Sequence, residues 1–245
     1  MKDNPILAED LIMELLNKSN PERKRTNEWF FKTGKGEYGE GDIFIGLSNP
    51  DVRSATSKYL GMKFSEIKKL LDHPIHEIRF SGLIILTDNS KKAFRKKDKD
   101  TLKRIADFYI ENRSAANNWD LVDLTSYSIL GNAIQAGVYD MQILETLSSS
   151  EGLWDRRISM VSTYTFLKHK NIYPTMALAS KLLDNNEDLM HKAVGWMLRE
   201  AWKVDQNEIE NFLIDNYSLI PRTALRYAIE KMEEEKRQKF LKAEF

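Results

Sequence analysis

Five stretches decide the fold: HEIRFSGL at 76–83, WDLVDLTS at 119–126, WDRRISMV at 154–161, MHKAVGWM at 190–197 and IPRTALRY at 220–227. In this part of the chain apolar residues recur three and four apart, the spacing that lines one face of an α-helix, and sustained period-two alternation is missing. The stretches begin near Pro74, Asn118, Leu153, Asp188 and Pro221, roughly 30 to 44 residues apart, and each follows a shorter helical segment. The expected pairs are 98–112 with 118–130, 138–148 with 152–169, 174–184 with 187–203, and 207–216 with 221–231. Asn20-Pro21, His73-Pro74, Tyr173-Pro174 and Ile220-Pro221 mark helix starts, because a first helical turn accepts a residue with no N–H. Helical hairpins of this length, stacked side by side, build an α-solenoid with a curved inner surface.

Working outward, the 245 residues are read as one all-α repeat domain, with 1–49 forming N-terminal helices and a glycine-rich connector and 50–245 the stacked repeats. Hydrophobic residues at 42%, charged residues at 30% and only six prolines exclude a disordered chain. The lack of cysteine excludes disulfides, thiolate metal sites and a cysteine nucleophile, and fits a cytoplasmic location. MKDNPILAEDLIMELLNKS at the start reads as an amphipathic helix, not a secretory signal, because acidic residues interrupt its apolar positions. No apolar run reaches the ~18 residues of a membrane span. Lys plus Arg equals Asp plus Glu at 37 each. With zero net charge, nucleic-acid binding requires the cations to be segregated onto one face.

Superposing the five second helices tests for that segregation. Arg79, Arg157, Lys192 and Arg222 take similar early positions in four of them, in imperfect register, and the remaining helix carries Asp123. Second helices line the inner face of a solenoid, so the pattern is a row of cations with one carboxylate among them. Early helical positions are also commonly charged for no reason beyond exposure. Trp119, Trp154 and Trp196 lie on the same helices. Trp119 and Asp123 are four residues apart and share a helix face. An aromatic ring beside a carboxylate suits a cationic ligand, a cation–π contact being worth about 0.5–2 kcal/mol. The alternative is that these tryptophans are core residues; Trp29 and Trp202 are expected in the core or at its rim.

NNWDLVD at 117–123, LWDRRISMVSTY at 153–164, HKAVGWMLREAWK at 191–203 and PRTALRYAIEK at 221–231 strongly resemble the DNA alkylation repair enzyme family, the AlkD-type alkylpurine glycosylases. FFKTGKGEYGEGDIFIG at 30–46 resembles the family's N-terminal segment, so the likeness runs from about Glu22 to the C-terminus in family order. It implies a HEAT-like repeat superhelix whose concave face binds duplex DNA and excises 3-methyladenine- and 7-methylguanine-type bases. By the same resemblance Asp123 matches the catalytic aspartate, Trp119 and Trp196 the active-site aromatics, and Arg157 the arginine beside them. Arg79, Arg156, Lys192 and Arg222 are the candidate DNA contacts. A monomer acting without cofactor or metal is expected.

The chemistry suits these residues. A purine alkylated at N3 or N7 is already cationic and leaves readily, so no strong general acid is required. Positive charge develops on the sugar, where an ionised carboxylate stabilises it and orients the attacking water. At about 4 Å and an effective dielectric of about 20 that attraction is on the order of 4 kcal/mol, roughly a thousandfold in rate if realised only in the transition state.

Other motifs carry less. Lys91, Lys92, Arg95, Lys96, Lys97 and Lys99 form the densest basic run, expected between helices as a solvated loop or a DNA flank. The segment Thr33 to Asp42 lacks the order of a phosphate-binding NTPase loop and reads as a mobile connector or a DNA-edge contact. His73 and His76 have no further ligand cluster to make a metal site, and His191, next to Lys192 at a helix start, is expected to cap or pack, with a DNA contact as the alternative. Two other functions fit the pattern: a non-catalytic binder of DNA structure, and a protein-binding scaffold, which the zero net charge favours.

Overall fold

The computed structural model describes residues 6–245. It is all-α: among the described residues no strand forms, and the one extended pairing is an isolated bridge between Ile43 and Ile75. No described helix is long and apolar enough to cross a membrane. Two compact units divide the chain, 1–125 and 126–245. Residues 1–5 of the expected N-terminal amphipathic helix lie outside the described residues.

The first unit holds α1 (Ala8–Leu16), α2 (Pro21–Phe30), α3 (Asn49–Thr56), α4 (Phe64–Leu71), α5 (His76–Lys96), α6 (Lys99–Glu111) and α7 (Trp119–Ser126). Local chemistry starts several of them. The Asn20 side chain accepts from the Glu22 and Arg23 N–H groups, with Pro21 as the first helical residue. Ser48 and Asp51 form a capping box at α3, and Asp98 accepts from Thr101 N–H at α6. Each cap satisfies donors that the first helical turn leaves unpaired. α1 buries Ala8, Leu11 and Leu15, the three- and four-residue spacing of an amphipathic helix. α5 is flanked by α4 and α6 and buries most of its length, including Ile78, Leu83, Ile84, Ile85 and Leu86. Truncating such a core side chain to alanine costs about 2–5 kcal/mol.

The basic run does not lie between helices. Lys91, Lys92, Arg95 and Lys96 form the last turns of α5, Lys97 ends it in a left-handed conformation (φ 57°), and Lys99 opens α6. Cations at a helix C-terminus face the negative end of its dipole, and the stretch holds a helix without needing a loop.

The glycine-rich connector is a series of closed turns. Glu37 accepts from Gly34 N–H and Glu40 from Gly36 N–H, while Gly39 and Asp42 donate to the carbonyls of Lys32 and Gly39. Glu37 and Glu40 thus cap the connector's own backbone. Beyond it, the buried Glu77 carboxylate accepts from the N–H groups of Ile45, Gly46 and Leu47, which pins the chain to the start of α5. Gly46 is required there: its φ is +84°, and a Cβ would stand 2.1 Å from the Asn20 carbonyl oxygen.

The second unit opens with a π-turn (Tyr127–Gly131), followed by α8 (Asn132–Gln135), α9 (Gln142–Ser148), α10 (Leu153–Ser162), α11 (Tyr164–Lys168), α12 (Tyr173–Leu182), α13 (Asp188–Trp202), α14 (Gln206–Asp215), α15 (Arg222–Ala228) and α16 (Glu234–Lys242). α10 packs on α9 and α13 on α12, and α10, α13 and α15 pack in succession, the helix-pair stacking of an α-solenoid. The expected pairs from α9 to α15 agree with these helices within a few residues. In the π-turn, Thr165 donates its hydroxyl to the Tyr127 carbonyl. Gly131 permits that approach, because a Cβ there would meet Thr165 Oγ1 at 2.4 Å.

Candidate active site

α7 displays the candidate residues of the first unit. Asn118 precedes it: its carbonyl accepts from Val122 N–H at 3.1 Å and its side chain from Trp119 N–H at 2.8 Å. Six of the eight residues of α7 are buried. The two that keep solvent exposure are Trp119 and Asp123, one helical turn apart. Leu121 and Val122 anchor the opposite face in the core. Thr125 donates to the Leu121 carbonyl at 2.8 Å and receives the buried Tyr109 hydroxyl at 2.9 Å, which ties the end of α7 to α6.

Rings surround Trp119. Phe31 stacks on it at 5.5 Å between centroids, and the half-exposed Phe30 meets it edge-on at 5.9 Å. Phe44 stacks on Phe31 at 5.0 Å, and the His76 imidazole stacks on Phe44 at 4.5 Å. Trp29, expected in the core or at its rim, is instead 73% exposed, with the Lys32 ammonium 5.3 Å from its ring.

Beneath this stack is a buried charge cluster. His76 Nδ1 lies 2.8 Å from Asp42 and Nε2 3.0 Å from Asp120, the residue after Trp119. Burial works to lower the imidazole pKa, but Asp120 and Asp42 outweigh it and raise the value to about 9. Burial likewise works to raise the Asp42 pKa, while His76 and Arg79 hold it below the usual carboxylate range.

Arg79 is part of this cluster and does not face outward as expected of a DNA contact. It is 6% exposed. Its Nη2 donates to Asp42 at 2.6 Å and Asn117 at 2.9 Å, its Nη1 to the carbonyls of His73 and Pro74, and its Nε to that of Ala115. With every guanidinium nitrogen donating inside the protein, it organises the approach to α7. His73 accepts from Ile75 N–H, so the two histidines act separately. Among the described residues no group of three or more histidine, aspartate or glutamate side chains could hold a metal ion.

The second unit holds the other candidates. Arg157 is buried on α10 and donates through Nη1 to the Leu189 carbonyl in the first turn of α13. Trp196, half-buried on α13, lies 6.1 Å from Tyr164, which meets Tyr127 edge-on at 5.2 Å. Lys168 stands over both tyrosine rings, at 4.4 and 4.7 Å. Arg156 donates to the carbonyls of Ser150 and Glu151 and pairs with Glu187. Lys192 pairs with Asp188 at 2.7 Å. Arg222 is exposed and donates to two neutral acceptors, the Tyr217 hydroxyl and the Leu241 carbonyl. His191 bonds the Asn185 carbonyl at 2.6 Å, the packing role expected of it. Trp202 donates to Glu210 at 2.9 Å.

His76, Asp42 and Asp120 were not singled out as site residues by the sequence. Their only signal is a carboxylate inside each of two recognisable segments, Asp42 in GDIFIG and Asp120 in NNWDLVD, and a histidine at the start of HEIRFSGL.

The architecture is shared with a solved structure described as a predicted DNA alkylation repair enzyme from Enterococcus faecalis. The two are similar with a TM-score of 0.67 at 15% sequence identity, over 88% of this chain and 97% of that one. This likeness shows the all-helical fold. No curated protein matches the sequence. The family model for DNA alkylation repair enzymes matches residues 11–232, and the chain belongs to that family.

Proposed function

We propose that the protein is a DNA glycosylase that hydrolyses the N-glycosidic bond of cationic alkylated purines, of the 3-methyladenine and 7-methylguanine type, in duplex DNA. One observation carries this reading: in a chain of the DNA alkylation repair family, Trp119 and Asp123 are the two residues of α7 left accessible, one turn apart. Asp123 meets the positive charge that builds on the sugar and orients the water that attacks it. Trp119 and Trp196 provide cation–π and CH contacts to the lesion and sugar, and the buried Arg157 adds positive charge to the field that a flanking phosphate meets. Arg156, Lys192 and Arg222 contact the backbone of the duplex. No cofactor enters the reaction, and the protein acts as a monomer in the cytoplasm.

The test is incubation with a duplex carrying 7-methylguanine, followed by detection of free base and of salt-dependent affinity. Base released by the wild type and not by Asp123→Asn supports the reading. Salt-sensitive binding with no release points to a non-catalytic DNA binder, and absence of salt-sensitive binding to a protein scaffold.

A further inference from the structure

We propose that His76 is a positioning residue for Trp119 and Asp123, clamping the first turn of α7 to the connector through Asp120 on one side and Asp42 on the other. The proposal rests on the reading of Asp123 as the reacting carboxylate. Two independent routes lead from the imidazole to the candidate site. One is covalent: Asp120, held at 3.0 Å from Nε2, is the neighbour of Trp119 and lies three residues before Asp123. The other is through rings: His76 contacts Phe31 at 5.1 Å, and Phe31 stacks on Trp119.

The geometry also fixes the charge. Both ring nitrogens face carboxylate oxygens, and a neutral imidazole has only one N–H to donate. Both contacts are hydrogen bonds only in the imidazolium. The groups facing His76 are Asp42 from the connector and Asp120 from α7, with the rings of Phe31 and Phe44 against its faces. Arg79, from α5 itself, takes the other oxygen of Asp42. Two cations and two carboxylates make the cluster neutral while His76 is charged. Loss of its proton leaves one excess negative charge in a buried site and one carboxylate facing a lone pair, and α7 loosens at the turn bearing Trp119.

The experiment follows two readouts from neutral pH to above the His76 midpoint of about 9. One is single-turnover base release, corrected for enzyme-free loss; the other is the emission of Trp119, taken as wild type minus Trp119→Phe. Both are expected to change with a common midpoint near 9 in the wild type. Asp120→Asn, which keeps an acceptor but removes the charge, moves both midpoints down by about one unit or more. His76→Gln abolishes the midpoint and slows release about ten- to hundredfold at neutral pH, with affinity for intact duplex unchanged. Wild-type rates and an unmoved midpoint in His76→Gln overturn the proposal and leave Asp123 in its role. If the wild type releases no base, the glycosylase reading fails and the emission titration decides: a midpoint that follows Asp120→Asn supports the clamp, and its absence refutes it. Should His76→Gln fail to fold, the displaced midpoint in Asp120→Asn gives the same decision.

Discussion

The two candidate tryptophans are held in different ways. Trp119 stands in the first turn of its helix, and a buried cluster of two carboxylates and two cations fixes its neighbourhood. Trp196 sits inside a helix of fifteen residues that buries Met190, Ala193, Val194, Met197, Leu198 and Ala201. Next to it, Gly195 lets α13 approach α15 so closely that a Cβ would meet the Ala224 carbonyl oxygen at 2.4 Å. Charge pairing secures one tryptophan and close apolar packing the other. A first turn, whose N–H groups have no helical partners, needs side-chain anchors, whereas a position inside a helix is held by the ladder on both sides. Stability in the first region therefore depends on pH through His76, whereas the contact of Gly195 with Ala224 carries no titrating group.

Breaking the charge cluster gives the largest effect on stability. Asp42→Ala leaves both His76 and Arg79 without their shared partner and is expected to destabilise by about 3–5 kcal/mol in denaturant unfolding, the usual cost of a buried charge deprived of its counter-ion. A cost below about 1 kcal/mol shows that the cluster is not a structural anchor.

Titration is the next test. The folded His76 pKa of about 9 lies above the unfolded value of 6.5, so the folded state holds its proton more tightly. Its contribution is whole below about pH 6.5, is lost as pH rises through about 9, and amounts to about 3 kcal/mol. Unfolding measured across this window should show wild-type stability falling and His76→Gln staying nearly flat. In acid the sign reverses for Asp42, whose lowered pKa gives stability that is lost as it is protonated.

In the second region, Gly195→Ala forces α13 and α15 apart and is expected to cost about 1–3 kcal/mol at every pH, read by the same unfolding curves. A marked pH dependence of that cost would erase the contrast. The smallest effect is expected for Lys168→Ala, which removes the ammonium standing over both Tyr127 and Tyr164 at an exposed position and is worth less than about 1 kcal/mol in the same assay.

The sequence made the helix pairs readable because burial of one face writes a period of three to four into each of them, from α9 with α10 to α14 with α15. Trp119 and Asp123 were readable for the same reason, since four residues on a helix share a face wherever the helix is placed. His76 was not, because its partners are 34 and 44 residues away and no periodicity records a pairing between distant charges. Arg79 looked like an outward cation because an early helical position usually is one, and only the fold brings Asp42 and four other acceptors around it. The use of Glu37 and Glu40 as caps for glycine N–H groups is visible only with the turns closed. The lysine run was placed in a loop on composition, although its residues are good helix formers.

The most direct test of the account is the single-turnover rate of base release from duplex DNA carrying 7-methylguanine, compared between wild type and Asp123→Asn at neutral pH. The account predicts a fall of about a thousandfold with duplex affinity nearly intact. Equal rates in the two proteins would contradict it.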